Sequence, residues 1–132
     1  MFQHNLKIYY EDTDSGGVVY YANYLKFIER ARTEIINELG FTLNSLLKDH
    51  GRLFLVKKIE CDYIESCKLE DRLNVQSRVL LLKNASFELE QNLLKQNKII
   101  FRSKIVMVCV NSQGAPSKIP NELHSLMKNK DG

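Results

Sequence analysis

One long stretch of the sequence has the periodicity of an amphipathic helix, and it limits what the chain can fold into. Across residues 22–39, apolar side chains recur every three or four positions while charged side chains fill most of the others. The pattern ends at Gly40, a residue type common at helix ends. Such a helix does not persist alone in water, because most of its stability comes from burying its apolar face. The rest of the chain must therefore supply an apolar surface that covers it.

Segments that alternate apolar and polar side chains can form that surface. A first strand is predicted over residues 6–11, and after Arg52 the pattern changes to period two. Residues 73–81 and 87–93 read as a hairpin, and 99–110 read as an interior strand that follows a turn at 96–97. Shorter helices are predicted over residues 42–49 and 120–127. The fold class is therefore α+β, with one long helix packed on a five-stranded, mostly antiparallel sheet.

Length and composition favour one domain spanning residues 1–132, because two domains would each be too small to bury a core. The 19 basic and 16 acidic residues give a net charge of only +3, which argues against nucleic acid as a partner. No apolar run has the length of a signal peptide or a membrane span, so we expect a cytoplasmic protein. The three cysteines lack metal-binding spacing, and we expect free thiols. Disorder is expected only from Asn129 onwards.

The loop before the long helix is the most unusual part of the sequence. It places Glu11, Asp12 and Asp14 beside Gly16 and Gly17, directly ahead of the helix start. The first amides of a helix are unpaired and carry partial positive charge, so they can stabilise an oxyanion. A carboxylate facing them could attack an acyl carbon or take a proton from water. Asp14 has that position in the sequence.

Three other uses of this loop are open from the residues alone. Asp12, Asp14 and Gly17 match some positions of a calcium-binding loop, but Asn23 stands where a bidentate glutamate is needed. An aspartyl-phosphate site would need further phosphate or magnesium motifs, and none is recognisable. Asp beside Gly is also a common turn and helix-capping arrangement, which would make both carboxylates structural.

A resemblance to a known family favours the catalytic interpretation. The segments that carry it are Tyr10-Glu11-Asp12-Thr13-Asp14-Ser15-Gly16-Gly17-Val18-Val19-Tyr20, Asn23-Tyr24 and Glu29-Arg30-Ala31-Arg32. Together they closely resemble the signature of the YbgC-like branch of the 4-hydroxybenzoyl-CoA thioesterase family. The order of one strand, a long helix and four strands is similar to the hotdog fold of that family. The resemblance implies hydrolysis of acyl-CoA or acyl-carrier-protein thioesters to a free acid and a thiol.

The resemblance also implies roles for residues of the loop. Asp14 takes the position of the catalytic carboxylate, as nucleophile or general base, and Asp12 has a supporting part. The main-chain N–H of Tyr21 takes the position of the oxyanion donor, with Asn23 nearby. Many relatives carry His where this chain has Tyr21, so the resemblance carries over the backbone donor at this position and not a general-acid or substrate-orienting role of the side chain. Gly17 and Val18 of the same motif are also expected to bind the substrate.

The remaining expectations concern coenzyme A and assembly. Basic residues are needed for its phosphates, and Lys57, Lys58, Lys83 and Arg102 are candidates. We select Lys58, Lys83 and Ser86, since the turn 83–86 matches where family members grip the nucleotide. The resemblance implies subunits paired edge to edge, active sites at their interface and dimers joined into a homotetramer, with no metal or further cofactor. The alternative is a non-catalytic acyl-thioester-binding or scaffolding protein linked to lipid or envelope assembly.

Overall fold

The computed structural model describes residues 1–131, with side chains for residues 1–129. The long helix α1 spans Asn23–Glu38 and is followed by the short α2, Leu43–His50. The strands are β1 (Phe2–Lys7), β2 (Leu53–Tyr63), β3 (Arg72–Leu82), β4 (Ser86–Lys95) and β5 (Lys98–Val110). A final helix, α3, spans Asn121–Asp131. It runs through residues where we expected disorder, and Gly132 lies outside the described residues.

The five strands form one sheet in the order β1-β3-β4-β5-β2, and all four neighbouring pairs are antiparallel. The predicted sheet, the hairpin of β3 with β4 and the interior position of β5 are confirmed. The turn at Gln96 and Asn97 is confirmed as well, and both residues have positive φ, as a two-residue hairpin turn requires. The strands β1 and β2 are left at the two edges of the sheet.

The first strand is the main error of the sequence prediction, which placed it over residues 6–11. The strand ends at Lys7, and Tyr10–Asp12 form a short 3-10 turn. The Asp12 carboxylate accepts a hydrogen bond from the Tyr9 amide at 2.9 Å and so turns the chain away from the sheet. Aromatic and β-branched residues at 8–10 suggest a strand by propensity, but this side-chain cap outweighs it.

The apolar face of α1 packs against the inner face of the sheet and forms the core. Its buried side chains include Tyr24, Phe27 and Ile28 near the helix start. Beneath the middle of the helix lies a buried polar group, the Gln91 amide, which donates to the Ile28 carbonyl at 3.1 Å and to the Ser77 hydroxyl at 3.0 Å. These bonds fix the helix on the sheet, because a buried amide is costly to leave unpaired.

Candidate active site

The loop from Asp12 to Tyr20 is a tight hairpin that delivers the chain to the start of α1. The Tyr20 amide donates to the Asp12 carbonyl at 3.2 Å, and the Asp14 amide donates to the Val18 carbonyl at 2.8 Å. The returning arm is tied to residues 67–68, since the Val19 amide donates to the Cys67 carbonyl at 2.8 Å. These hydrogen bonds therefore hold the backbone in place on both sides of the hairpin tip.

Asp14 lies at the tip of this hairpin, where its side chain is exposed. Its Oδ1 accepts a hydrogen bond from the Gly16 amide at 2.8 Å, and its carbonyl accepts one from the Gly17 amide at 3.0 Å. A Cβ at position 16 would lie only 3.2 Å from Oδ1, and Gly17 has a φ of +83°. The two glycines thus suit a close turn that orients the carboxylate and leaves its other oxygen open to solvent.

Asp12 differs from Asp14 in its surroundings. It is buried, with 8% of its surface exposed, and its carboxylate bonds the Tyr9 amide. Its carbonyl accepts a second bond from the Asn23 side-chain amide at 2.9 Å. Asn23, predicted to lie near the oxyanion donor, therefore joins the first turn of α1 to the loop. Within residues 1–129, no cluster of three or more metal-binding side chains is present.

The start of α1 presents unpaired backbone donors. The Asn23, Tyr24 and Leu25 amides donate to the carbonyls of Tyr20, Tyr21 and Ala22. Among the residues that the structure describes, the amides of Tyr21 and Ala22 have no acceptor, and Ala22 provides no side-chain cap. These are donors of the kind that bind an oxyanion at a helix N-terminus.

The side chains around the helix start form a row of aromatic rings that the sequence analysis missed. Tyr21 is 62% exposed, and its ring lies 4.8 Å from that of Tyr20 and 6.0 Å from that of Tyr63. Tyr63 stacks on Tyr24 at 5.3 Å. Burial, followed by the contact with Cys67, raises the pKa of Tyr24. Tyr63 ends the alternating pattern of β2, which was the only sequence signal of its position.

The predicted coenzyme A residues lie at the other end of the sheet. Lys83 and Ser86 flank the β3–β4 turn and line an open cavity of about 300 Å³ together with Lys57. Lys58 does not line it and instead pairs with Glu60 at 2.9 Å, an interaction that raises the pKa of the lysine. The β2 register shifts between Val56 and Lys58, so a bulge decides which lysine faces the cavity.

A second cationic cavity lies beside the loop itself. It is open, has a volume of about 900 Å³ and is lined by Glu11 and Asp12 on one side. Lys7, Arg30 and Arg72 supply its positive charge. The sequence did not indicate this cluster, because its members come from β1, α1 and β3 and meet only in the folded chain.

Comparisons with known proteins identify relatives of this chain. The model of the thioesterase-like superfamily matches residues 9–126. The acyl-CoA thioesterase YbgC of Haemophilus influenzae is 39% identical over 123 residues, which cover 92% of this chain and 90% of that protein. The acyl-CoA thioester hydrolase YbgC of Escherichia coli O6:H1 is 33% identical over 112 residues, covering 84% and 83%. A probable thioesterase from Bartonella henselae, 29% identical, superimposes with a TM-score of 0.85 and covers 89% of this chain and 98% of its own.

Proposed function

The chain belongs to the thioesterase-like superfamily and has its hotdog fold, and from this premise we propose that it hydrolyses acyl-CoA thioesters at the Asp14 loop. The observation that carries the proposal is the hairpin that joins the exposed Asp14 carboxylate to the unpaired amides of Tyr21 and Ala22. The thioester carbonyl lies between them, with its oxygen toward the amides. As the tetrahedral intermediate forms, these amides stabilise the developing oxyanion.

Asp14 supplies the attacking group in this proposal, either as nucleophile or by activating water. The leaving thiolate resembles that of cysteine, whose pKa is about 8.5, so it needs little protonation. Coenzyme A enters only as part of the substrate, and the carboxylate and amides suffice without a further cofactor. A single turnover in oxygen-18 water separates the two routes, because label in Asp14 arises only through an acyl anhydride.

The experiment that tests the function is release of free thiol from a panel of acyl-CoA and acyl-carrier-protein thioesters. Asp14→Asn should lower kcat by about a hundredfold or more, as loss of a positioned base or nucleophile usually does. Glu11→Gln is the matched control, since it removes an exposed carboxylate from the same loop. Equal turnover by the wild type and Asp14→Asn would refute the assignment, and tight binding without turnover would select the scaffolding alternative.

A complete site needs two copies of the chain in this proposal. The tip of α1 lies near Tyr63, whereas Ser86 begins β4 at the far end of the sheet and Lys83 lies in the turn before it, about 20 Å away for a seven-residue length of strand. Antiparallel pairing of two β2 edges would place the Leu53 end of one strand beside the Tyr63 end of the other. The cavity lined by Lys57, Lys83 and Ser86 of one copy then lies beside the Asp14 loop of the other copy and binds the phosphates of its substrate.

Exposed apolar side chains on β2 support this pairing, among them Leu53, Leu55 and Val56. An unprotected apolar edge strand is a usual site of association. We expect a homodimer that pairs into a homotetramer. Light scattering would measure the mass of this assembly in solution. Leu55→Lys should shift the measured mass toward that of a single chain, and kcat/KM should fall together with the loss of assembly. A variant that remains assembled and fully active, or a wild type that is a fully active monomer, would contradict the shared site.

The phosphate contacts can be tested by charge removal. Lys83→Gln should raise KM for acyl-CoA several-fold and leave kcat nearly unchanged, because the lysine binds a part of the substrate that does not react. Arg72→Gln removes a cation from the cavity beside the loop and is the matched control. If KM rises in Arg72→Gln and not in Lys83→Gln, the nucleotide would instead be assigned to the cavity beside the Asp14 loop.

A further inference from the structure

The strand β1 leaves one edge of the sheet open, on the side opposite β2. It pairs with β3 alone in the sheet order, and one row of residues crosses all five strands: His4, Val75, Leu93, Phe101 and Tyr63. Four strand spacings of about 4.8 Å separate the two ends of that row by about 19 Å. The open edge is therefore remote from Tyr63 and from the pairing of two β2 strands.

The backbone of β1 directs hydrogen-bonding groups at this open edge. The Ile8 amide donates to the Asp71 carbonyl at 2.9 Å, and the Glu70 amide donates to the Ile8 carbonyl at 3.0 Å, so Ile8 bonds toward β3. Successive residues of an antiparallel strand turn their N–H and C=O groups to alternate sides. Asn5 and Lys7 therefore direct these groups away from β3. An extended segment laid along β1 would pair with them.

Two open cavities lie along β1 in the space that such a segment would occupy. One, of about 390 Å³, lies at the Phe2 end of the strand, between β1 and α1. The other is the cavity of about 900 Å³ beside the Asp14 loop, at the Lys7 end. His4 lines both, so the open space continues along the strand.

The cations of the larger cavity lie on both faces of the sheet. Lys7 and Arg72 are directly opposite each other across β1 and β3. Their neighbours Leu6 and Leu73 pack into the core under α1, so by alternation Lys7 and Arg72 lie on the outer face. Arg30 belongs to α1, which covers the inner face. Positive charge therefore lies on both sides of the position of an added strand.

Within the described side chains, none of these three cations has an ion-pair partner. Elsewhere on the outer face of β3 the arrangement differs, because Arg78 stands directly opposite Glu90 and pairs with it at 3.1 Å. Like charges directly opposite each other, as in Lys7 and Arg72, are destabilising. An acidic group bound between them would remove that repulsion.

We propose that β1 binds an acidic peptide segment of another protein, which adds to the sheet as a sixth strand. Its backbone pairs with Asn5 and Lys7. Its acidic side chains alternate between Arg30 on one face and Lys7 with Arg72 on the other. In this mode of recognition, main-chain hydrogen bonds supply affinity and alternate side chains supply specificity. A second copy of β1 is a poorer occupant, since that strand carries a lysine and no carboxylate. Binding here does not depend on Asp14 or on hydrolysis.

The experiment measures binding of a fluorescent synthetic peptide to the full chain by anisotropy in about 0.1 M salt, where charges more than about 10 Å apart are largely screened. The peptide consists of valine and threonine with adjacent glutamates at its centre, and a second version carries lysines there. Arg72→Glu should weaken the glutamate peptide by about tenfold and make the lysine peptide the tighter ligand. Arg78→Glu, on the same strand and face, should leave both affinities unchanged. Glu11→Gln should strengthen the glutamate peptide, because Glu11 lines the same cavity.

Methylated peptide amides test the strand geometry, because only every second amide of an added strand faces β1. Methylation of one alternate set should abolish binding, and methylation of the other set should leave most of it. The proposal would be overturned by a wild type that does not bind the glutamate peptide, by equal affinities of the two methylated peptides, or by equal binding to the wild type and Arg72→Glu. A fall in the mass of the assembly on adding the peptide would show that a second copy holds β1, and would overturn it as well.

Discussion

The contact between Asn23 and the Asp12 carbonyl allows a sharp test of how the helix start is positioned. Asn23→Ala removes the hydrogen bond of 2.9 Å that ties the first turn of α1 to the loop. The Asp12 carbonyl keeps its other donor, the Tyr20 amide at 3.2 Å, so no buried acceptor is left unpaired. The free energy of unfolding should therefore fall by only about 1 kcal/mol, the net value of one hydrogen bond.

The effect on catalysis should be larger than the effect on stability. A shift of the Tyr21 and Ala22 amides relative to Asp14 weakens the oxyanion contacts, and misplacement by about 1 Å can cost about a hundredfold in rate. We expect kcat to fall by about ten- to a hundredfold with little change in KM, measured by thiol release at saturating substrate. Asn37→Ala is the control, because Asn37 is an exposed residue of the same helix. Wild-type kcat in a variant that has lost the expected stability would refute the reasoning.

Three further predictions concern stability, measured by urea unfolding at fixed protein concentration. Gly17→Ala should cost about 1 to 2 kcal/mol, because residue 17 has a φ of +83°. Gln91→Leu should cost about 2 to 4 kcal/mol, since it removes the acceptor of an Arg32 donor and the donor to the Ser77 hydroxyl beneath the helix; a loss below about 1 kcal/mol would contradict this. Burial raises the pKa of the Cys67 thiol in the folded chain. Above about pH 8.5 the thiol of the unfolded chain therefore loses its proton, while the thiol of the folded chain keeps it. Stability should fall as pH rises beyond that value, and it should fall less steeply in Cys67→Ala.

Regular patterns in the sequence predicted most of the fold. The helical period of residues 22–39 and the alternation in β3 and β4 depend on burying one face of an element, and the structure buries those faces. The first strand was misplaced because local propensity favoured residues 8–10, while the Asp12 side chain caps the turn there. That competition is decided by one hydrogen bond, which periodicity does not reveal.

The candidate site was predictable only where it is continuous in the sequence. The loop and the helix start are neighbours along the chain, so Asp14 and Tyr21 could be chosen from the motif. Tyr63 joins them from β2, and Lys57 replaces Lys58 in the cavity because of a bulge. Both features arise from strand register, which depends on contacts between distant segments.

The measurement that tests the central claim most directly is the infrared stretch of a carbon-13-labelled thioester carbonyl bound to Asp14→Asn. The account predicts that this variant binds acyl-CoA without hydrolysing it and that the helix amides polarise the carbonyl. The stretch should therefore shift to lower frequency than that of the same thioester in water. A bound carbonyl whose frequency equals the value in water, or rises above it, would contradict the placement of the thioester at the start of α1.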